Sequence, residues 1–202
     1  CVLVNNGGAP ESWVSVALGA SRSQEHTMAI AIRDVTGDGR PDILTANRSS
    51  ENAGRQNYAL INNGGSPDGW PMVNLGGAMD DATRCMAVED LNGDGRPDVV
   101  FGNDGQYGGQ NYVLLNNGGS PSSWTRYNLG SPLLDMTSSL AVGDVTGDGR
   151  PDVIVGNGNN YYGAQRSYAL VNNGGAPDTW ARVALGDGAA DYTPCLALCD
   201  LN

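Results

Sequence analysis

The sequence predicts an all-β fold, a β-propeller built from four-stranded blades of about 55 residues. Three repeated markers predict it. The segment Asn-Asn-Gly-Gly begins at Asn5, Asn62, Asn116 and Asn172, and Trp13, Trp70, Trp124 and Trp180 keep the same spacing. An Asp-rich nonapeptide begins at Asp34, Asp90 and Asp144, with a cut-off copy at Asp200. A period of this size marks a chain made of stacked supersecondary units. The repeats place one domain over 1–202: a partial blade at 1–18 carrying strands three and four, blades at 26–75, 83–130 and 138–185, and the start of the next at 195–202. Such a chain is expected to be part of a longer or multi-chain assembly.

Within a period the elements follow in order. Around Met28–Ile32, Cys85–Val88, Ser139–Val142 and Cys195–Leu198, larger apolar residues alternate with small ones, the period-two mark of a strand with one closely packed face. That predicts the innermost strand. After the Asp-rich turn come Ile43-Leu44-Thr45, Val99-Val100-Phe101 and Val153-Ile154-Val155, runs expected of a strand buried on both faces. Third strands start at Tyr58, Tyr112 and Tyr168, and each ends in Asn-Asn-Gly-Gly, where Asn-Gly suits the positive φ of a tight hairpin. The fourth strand follows each Trp and stops at Leu-Gly.

Composition narrows the function. The 202 residues carry 11 Lys plus Arg, none of them Lys, against 22 Asp plus Glu, for a formal charge of −11. An acidic chain without a basic patch is not a nucleic-acid binder. A Schiff-base lysine is excluded, as is a His cluster, since His26 is the only histidine. No apolar run approaches the roughly 18 residues of a membrane span. His26 has no counterpart in other repeats and no nucleophile at a telling spacing, so it reads as a solvated loop residue. Cys1, Cys85, Cys195 and Cys199 form no paired metal-binding pattern, and the four Trp, once per repeat, read as wedges between blades.

The Asp-rich turn carries chemistry. In Asp34-Val35-Thr36-Gly37-Asp38-Gly39-Arg40-Pro41-Asp42, oxygen-bearing residues occupy positions one, three, five and nine, and the Arg40 backbone carbonyl is available at seven. A calcium ion takes six to eight oxygens, and Gly at positions four and six lets the loop turn sharply around one point. The second copy offers Asp90, Asn92, Asp94, the Arg96 carbonyl and Asp98; the third offers Asp144, Thr146, Asp148, the Arg150 carbonyl and Asp152; the cut-off copy begins with Asp200 and Asn202. Turn chemistry alone favours Asp and Gly but has no need of Asp at position nine. A helical calcium hand would need an acidic ligand at position twelve, where Thr45, Phe101 and Val155 stand, and Pro followed by β-branched residues argues for a strand. One Ca2+ per complete loop, at least three in all, is expected.

These residues resemble the FG-GAP and VCBS repeats of integrin α-subunit propellers and many secreted proteins. The resemblance rests on Asp-x-Thr/Asn-Gly-Asp-Gly-Arg-Pro-Asp, an apolar strand ending near Gly102-Asn103 or Gly156-Asn157, and Leu-x-Asn-Asn-Gly-Gly. It implies a propeller, commonly of seven blades, with calcium in the turn between a blade's first and second strands. Thr36 and Thr146 replace the more usual Asp or Asn at position three, and Ala46 replaces the Gly at 102 and 156.

The expected function is a non-enzymatic, calcium-stabilised extracellular or cell-surface propeller module for adhesion, binding a glycan or protein. The alternative is a structural subunit of a surface appendage or fibre, in which copies of the chain complete each other's blades. The calcium loops and Asn-Asn-Gly-Gly turns fall on one side and hardly vary. The turns after strands two and four fall on the other and differ in every repeat, the mark of a recognition surface. Tyr107, Tyr161 and Tyr162 in those turns are candidates to stack on sugars or peptide side chains. Asn47-Arg48-Ser49 is a glycosylation sequon, so Asn47 is a candidate glycan acceptor as well as a candidate structural residue.

Overall fold

In a computed structural model of the chain, residues 1–4, 7, 9–18, 25–49, 55–77, 81–104, 109–130, 135–158, 165–187, 190 and 192–199 are described. Among these, one two-stranded hairpin precedes three four-stranded sheets. The hairpin pairs β1 (Val2–Val4) with β2 (Val14–Val16). The first sheet contains β3 (Glu25–Arg33), β4 (Asp42–Ser49), β5 (Tyr58–Leu60) and β6 (Met72–Asn74). The second contains β7 (Thr83–Glu89), β8 (Asp98–Asn103), β9 (Tyr112–Leu115) and β10 (Thr125–Asn128). The third contains β11 (Thr137–Gly143), β12 (Asp152–Asn157), β13 (Tyr168–Val171) and β14 (Ala181–Ala184). In every sheet the strands lie in chain order and run antiparallel, the meander of a propeller blade.

The blades stack in series, β7 against β3 and β11 against β7. Side-chain alternation feeds both interfaces from one strand. On β8, Val99 and Phe101 join the core between the first and second blades, and Val100 joins the core between the second and third. On β9, Tyr112 and Leu114 face the first interface and Val113 the second. Burial on both faces is why these strands read as unbroken apolar runs. The innermost strand is asymmetric: Met86 and Val88 of β7 pack toward the first blade and the smaller Ala87 toward the third. Trp124 and Trp180, 4% and 5% exposed, are wedges between blades, each in a core with apolar residues of the preceding blade.

Polar pins accompany the cores. Asn57 Nδ2 donates to Thr83 Oγ1 (2.9 Å), Asn111 Nδ2 to Thr137 Oγ1 (2.8 Å), and the Ser167 and Thr193 hydroxyls lie 2.9 Å apart. The first two link one blade to the next at the same place, and the third ties the segment at 192–199 to the third blade; because these groups are mostly buried their pairing is what makes the interface tolerable.

Three expectations need correction. The third and fourth strands are not joined by a tight two-residue hairpin. Gly64, Gly118 and Gly174 do have positive φ (81°, 80° and 78°), but the chain then makes a 3-10 turn, Pro67–Gly69, Pro121–Ser123 or Pro177–Thr179, opened by a proline whose fixed φ suits that place. Cys195–Leu198 forms no strand; it lies against the third blade, with Thr193 N–H donating to Asn157 O at 3.1 Å, and lacks a described second strand to pair with. His26 lies in β3 opposite Arg48, not in a loop, with its ring exposed. The four cysteines are free thiols. No described helix is long and apolar enough to cross a membrane.

Candidate metal centre

The three Asp-rich turns connect β3 to β4, β7 to β8 and β11 to β12. Their glycines at positions four and six have φ of 77° and 83°, 75° and 82°, and 79° and 83°, a conformation other residues adopt only with strain. That curl turns successive backbone N–H groups inward onto the carboxylate at position one. Asp34 Oδ1 accepts from Gly37 N–H and Oδ2 from Gly39 N–H, both at 2.7 Å. Asp90 and Asp144 repeat the pattern. At Asp144 the backbone donors, Gly149 first, hold the carboxyl below its ordinary range. At Asp34 desolvation is the largest single influence and raises the carboxyl, but the N–H groups of Gly39, Gly37, Asp38 and Thr36 together outweigh it and hold the group below its ordinary range.

Position nine is the first residue of the next strand and is fully buried: Asp42, Asp98 and Asp152 are each 0% exposed. Each spends both oxygens on backbone. Asp42 Oδ2 accepts from Val35 N–H (3.0 Å) and Oδ1 from Asn62 N–H (2.8 Å). Asp98 takes Leu91 and Asn116 at the same two distances, and Asp152 takes Val145 and Asn172. Burial pushes the Asp98 carboxyl up to about 6 against those two donors, and the charges of Asp94 and Asp90 add to the rise.

Position three closes the group in the first loop. Thr36 Oγ1 lies 3.4 Å from both Asp34 Oδ1 and Asp42 Oδ2, so oxygens from positions one, three and nine meet around one point. In the third loop Thr146 Oγ1 lies 3.3 Å from Asp144 Oδ1, and in the second Asn92 Oδ1 accepts from Asp94 N–H at 2.9 Å. The position-five carboxylates of Asp38, Asp94 and Asp148 pair with the guanidinium at position seven, Arg40, Arg96 and Arg150. Among the described residues no group of three or more His, Cys, Asp or Glu is arranged to hold a metal ion. The donor set nonetheless fits calcium: every candidate atom is a hard oxygen, and in the first loop the Thr36 hydroxyl bridges the carboxylates of positions one and nine.

Among the described residues, the first Asn of the Asn-Asn-Gly-Gly turns, Asn62, Asn116 and Asn172, is also tied to the position-nine carboxylate, a role beyond turn chemistry. Asn116 Nδ2 donates to Val35 O of the preceding blade's loop at 3.0 Å, and Asn172 Nδ2 to Leu91 O at 2.8 Å. The arginine at position seven reaches the same turns, Arg40 Nε donating to Asn62 O (2.8 Å), Arg96 Nε to Asn116 O (2.7 Å) and Arg150 Nε to Asn172 O (2.8 Å). The sequence signal for this asparagine is its recurrence after every complete Asp-rich turn. Nothing local shows that its partner lies 81 positions away.

Asp200, Asn202, Tyr107, Tyr161 and Tyr162 lie outside the described residues. The sequon's Asn47 is 2% exposed. Its Oδ1 accepts from Thr27 Oγ1 (2.9 Å) and its Nδ2 donates to Gln56 O (2.9 Å) and Thr45 Oγ1 (3.1 Å). The amide nitrogen that a glycan would take is engaged inside the blade. On the varying side, Asp104 is bound by Arg48 (3.2 Å) from the first blade and Arg84 (2.9 Å) from its own, and burial raises its carboxyl despite both cations.

Comparison with known proteins gives two matches. A family model described as "FG-GAP-like repeat" matches residues 34–101 and again 90–155, so that each match begins at one Asp-rich turn and ends beyond the next. Human integrin alpha-7 is 43% identical over 79 residues, which covers 35% of this chain and 7% of that protein's length.

Proposed function

Because the chain belongs to the FG-GAP-like repeat family, we propose that it is a non-enzymatic, calcium-stabilised extracellular β-propeller module that binds a glycan or protein in adhesion. The observation that carries the calcium reading is the convergence of Asp34, Thr36 and Asp42 oxygens. The ligands would be Asp34, Thr36, Asp38, the Arg40 carbonyl and Asp42 in the first loop. Asp90, Asn92, Asp94, the Arg96 carbonyl and Asp98 serve in the second, Asp144, Thr146, Asp148, the Arg150 carbonyl and Asp152 in the third, and Asp200 and Asn202 in the last copy. Bound, the ion supplies two positive charges among mutually repelling carboxylates. The chain does the rest: position one ties the loop backbone together, position nine ties the loop to the start of strand two, and the position-five carboxylate, held by the arginine at seven, would turn to the ion. Loops of this kind fill at extracellular calcium concentrations, which favours that compartment.

The turns after strands two and four carry recognition, with Tyr107, Tyr161 and Tyr162 supplying aromatic faces. A glycan array probed with and without a chelator tests this half: calcium-dependent binding is expected, and no hit on a broad array removes the glycan reading. Calcium binding is tested apart from it by calorimetry on Asp94→Ala, which is expected to lose one ion; an unchanged stoichiometry contradicts the second loop.

A second reading is a structural subunit joined blade to blade, and the outward faces of the first and third blades are its motive. Ile30 and Ile32 are 61% and 57% exposed, whereas their counterparts Met86 and Val88 are packed against the preceding blade. Val145 and Leu185 are 47% and 39% exposed, whereas their counterparts Leu91 and Leu129 are 3% and 2% exposed. Both faces thus bare the residues that the internal interfaces cover, and another blade of the same repeat, from the same polypeptide or from another copy, fits each. Electron microscopy separates the readings, filaments supporting the subunit and discrete particles the free module.

A further inference from the structure

The three candidate calcium loops are wired to one another. Starting in the first blade, the Asp42 carboxylate accepts from Val35 N–H (3.0 Å), and the Val35 carbonyl accepts from Asn116 Nδ2 of the second blade (3.0 Å). The backbone N–H of that same Asn116 donates to Asp98 Oδ1 (2.8 Å), and Asp98 Oδ2 accepts from Leu91 N–H (3.0 Å). The Leu91 carbonyl then accepts from Asn172 Nδ2 of the third blade (2.8 Å), whose backbone N–H donates to Asp152 Oδ1 (2.8 Å). Every member from Asp42 to Asp152 is at most 3% exposed. Water does not compete for these bonds, and a displaced link leaves a buried polar group unpaired.

Only one residue in each turn can make the connection. The second Asn of the motif stays within its own turn: Asn117 Nδ2 donates to Ser123 O (3.1 Å) and its Oδ1 accepts from Gly119 N–H (2.9 Å). The first Asn is held at both ends by position-nine systems, its backbone on the carboxylate of its own blade and its side chain on the residue that partners the carboxylate of the blade before. An ion that fixes Asp98 therefore fixes Asn116, and Asn116 fixes the turn around Val35.

We propose that Asn116 and Asn172 are positioning residues that couple calcium binding between neighbouring blades, so that filling one loop raises the affinity of the next. The inference rests on the calcium reading above and adds an energetic link between sites. Coupling of this kind is reciprocal: the first loop must influence the second as strongly as the second influences the first.

The test is a double-mutant cycle on the whole chain, with calcium as the titrant and hydrogen exchange of the Gly37 and Gly39 amides reporting the first loop alone. In the wild type these amides gain protection as calcium is added. Asp94→Ala, which damages only the second loop, is expected to move the first loop's calcium midpoint upward by about 5-fold or more. In an Asn116→Ala background the same Asp94→Ala change is expected to leave that midpoint where it was, and Asn117→Ala, which disturbs the same turn without touching the first blade, is expected to preserve the 5-fold response. Where Asn116→Ala does not fold, Asn172→Ala with Asp148→Ala, read at the Gly93 and Gly95 amides, repeats the cycle one blade along. A first-loop midpoint unmoved by Asp94→Ala, or moved equally with and without Asn116, overturns the coupling. Amides indifferent to calcium in the wild type overturn the calcium reading itself, a separate and recognisable failure.

Discussion

At the scale of single residues, the position-nine aspartates show why a motif can outlast the needs of a turn. Asp42 is fully buried and accepts two backbone N–H groups that are 27 positions apart, at Val35 and Asn62. Its side chain is a structural clamp as well as a candidate ligand, and the two roles separate in chelator. There, Asp42→Ala leaves two backbone donors unmet and is expected to lower the unfolding free energy by about 2 kcal/mol or more, while Asp42→Asn, keeping one acceptor, should lose about half as much. Urea unfolding in excess chelator checks the ordering; equal midpoints would mean that the aspartate acts only through metal. Glycine at 102 has an equally specific cause. A Cβ there would stand 2.6 Å from Thr137 Cγ2 and collide with Cys85 Sγ. Ala46 occupies the same place in the first blade because Ala29, not a cysteine or serine, stands opposite it. Gly102→Ala is therefore expected to cost roughly 1–3 kcal/mol, and Cys85→Ala in the same chain to recover part of it, the approach to Thr137 Cγ2 remaining. A double variant no more stable than the single one would refute this account of why alanine is tolerated only once.

Among elements, what the sequence showed and what it hid follow from the range of the interactions. The order of strands within a blade was legible because each is a local alternation bounded by Asp-Gly or Asn-Gly, and its repetition suppressed accidental patterns. The Asp-rich turn between the first and second strands was legible for the same reason: its residues fall within nine positions of one another. The 3-10 turns were missed because Asn-Gly carries a strong hairpin signal and the proline that redirects the chain comes after it. The reach of Asn116 and Asn172 was hidden because both partners are backbone carbonyls, which leave no trace in side-chain identity. Burial of Asn47 was hidden too, since a sequon reports only three residues and the partners of Asn47 include Thr27 and Gln56 from other segments. The tryptophans give this scale its test. Trp124 is 4% exposed in a core with Val35 and Leu44 of the preceding blade, whereas Trp70 is half-buried. Trp124→Ala is expected to cost about 3–5 kcal/mol, and Trp70→Ala clearly less. Equal losses in chemical denaturation would show that the indole works inside its own blade and not as a wedge.

For the whole molecule, electrostatics sets the terms on which the blades hold together. The chain carries a formal charge of −11, and its Asp-rich loops gather carboxylates at one end of each four-stranded sheet. Arginine answers part of this locally, the guanidinium at position seven pairing with the carboxylate at five in each loop. These pairs are solvent-exposed, with 43–46% of each arginine side chain open, so each contributes little. Divalent ions would act more strongly, for two reasons that add. Bound only by the folded loop, they would stabilise it by about 2.7 kcal/mol per site at a hundredfold excess over Kd, and they would cancel charge that otherwise repels across the face. Chelation is therefore expected to lower the melting temperature, and salt should expose the second reason by itself. Raising sodium chloride from about 0.01 M to 1 M shortens the screening length from about 30 Å to 3 Å. In chelator this should recover part of the lost melting temperature. In saturating calcium the same salt should do little, because the ions have already removed the repulsion that screening would relieve. A melting temperature equally sensitive to salt in both conditions would place the destabilising charge elsewhere than in the Asp-rich turns.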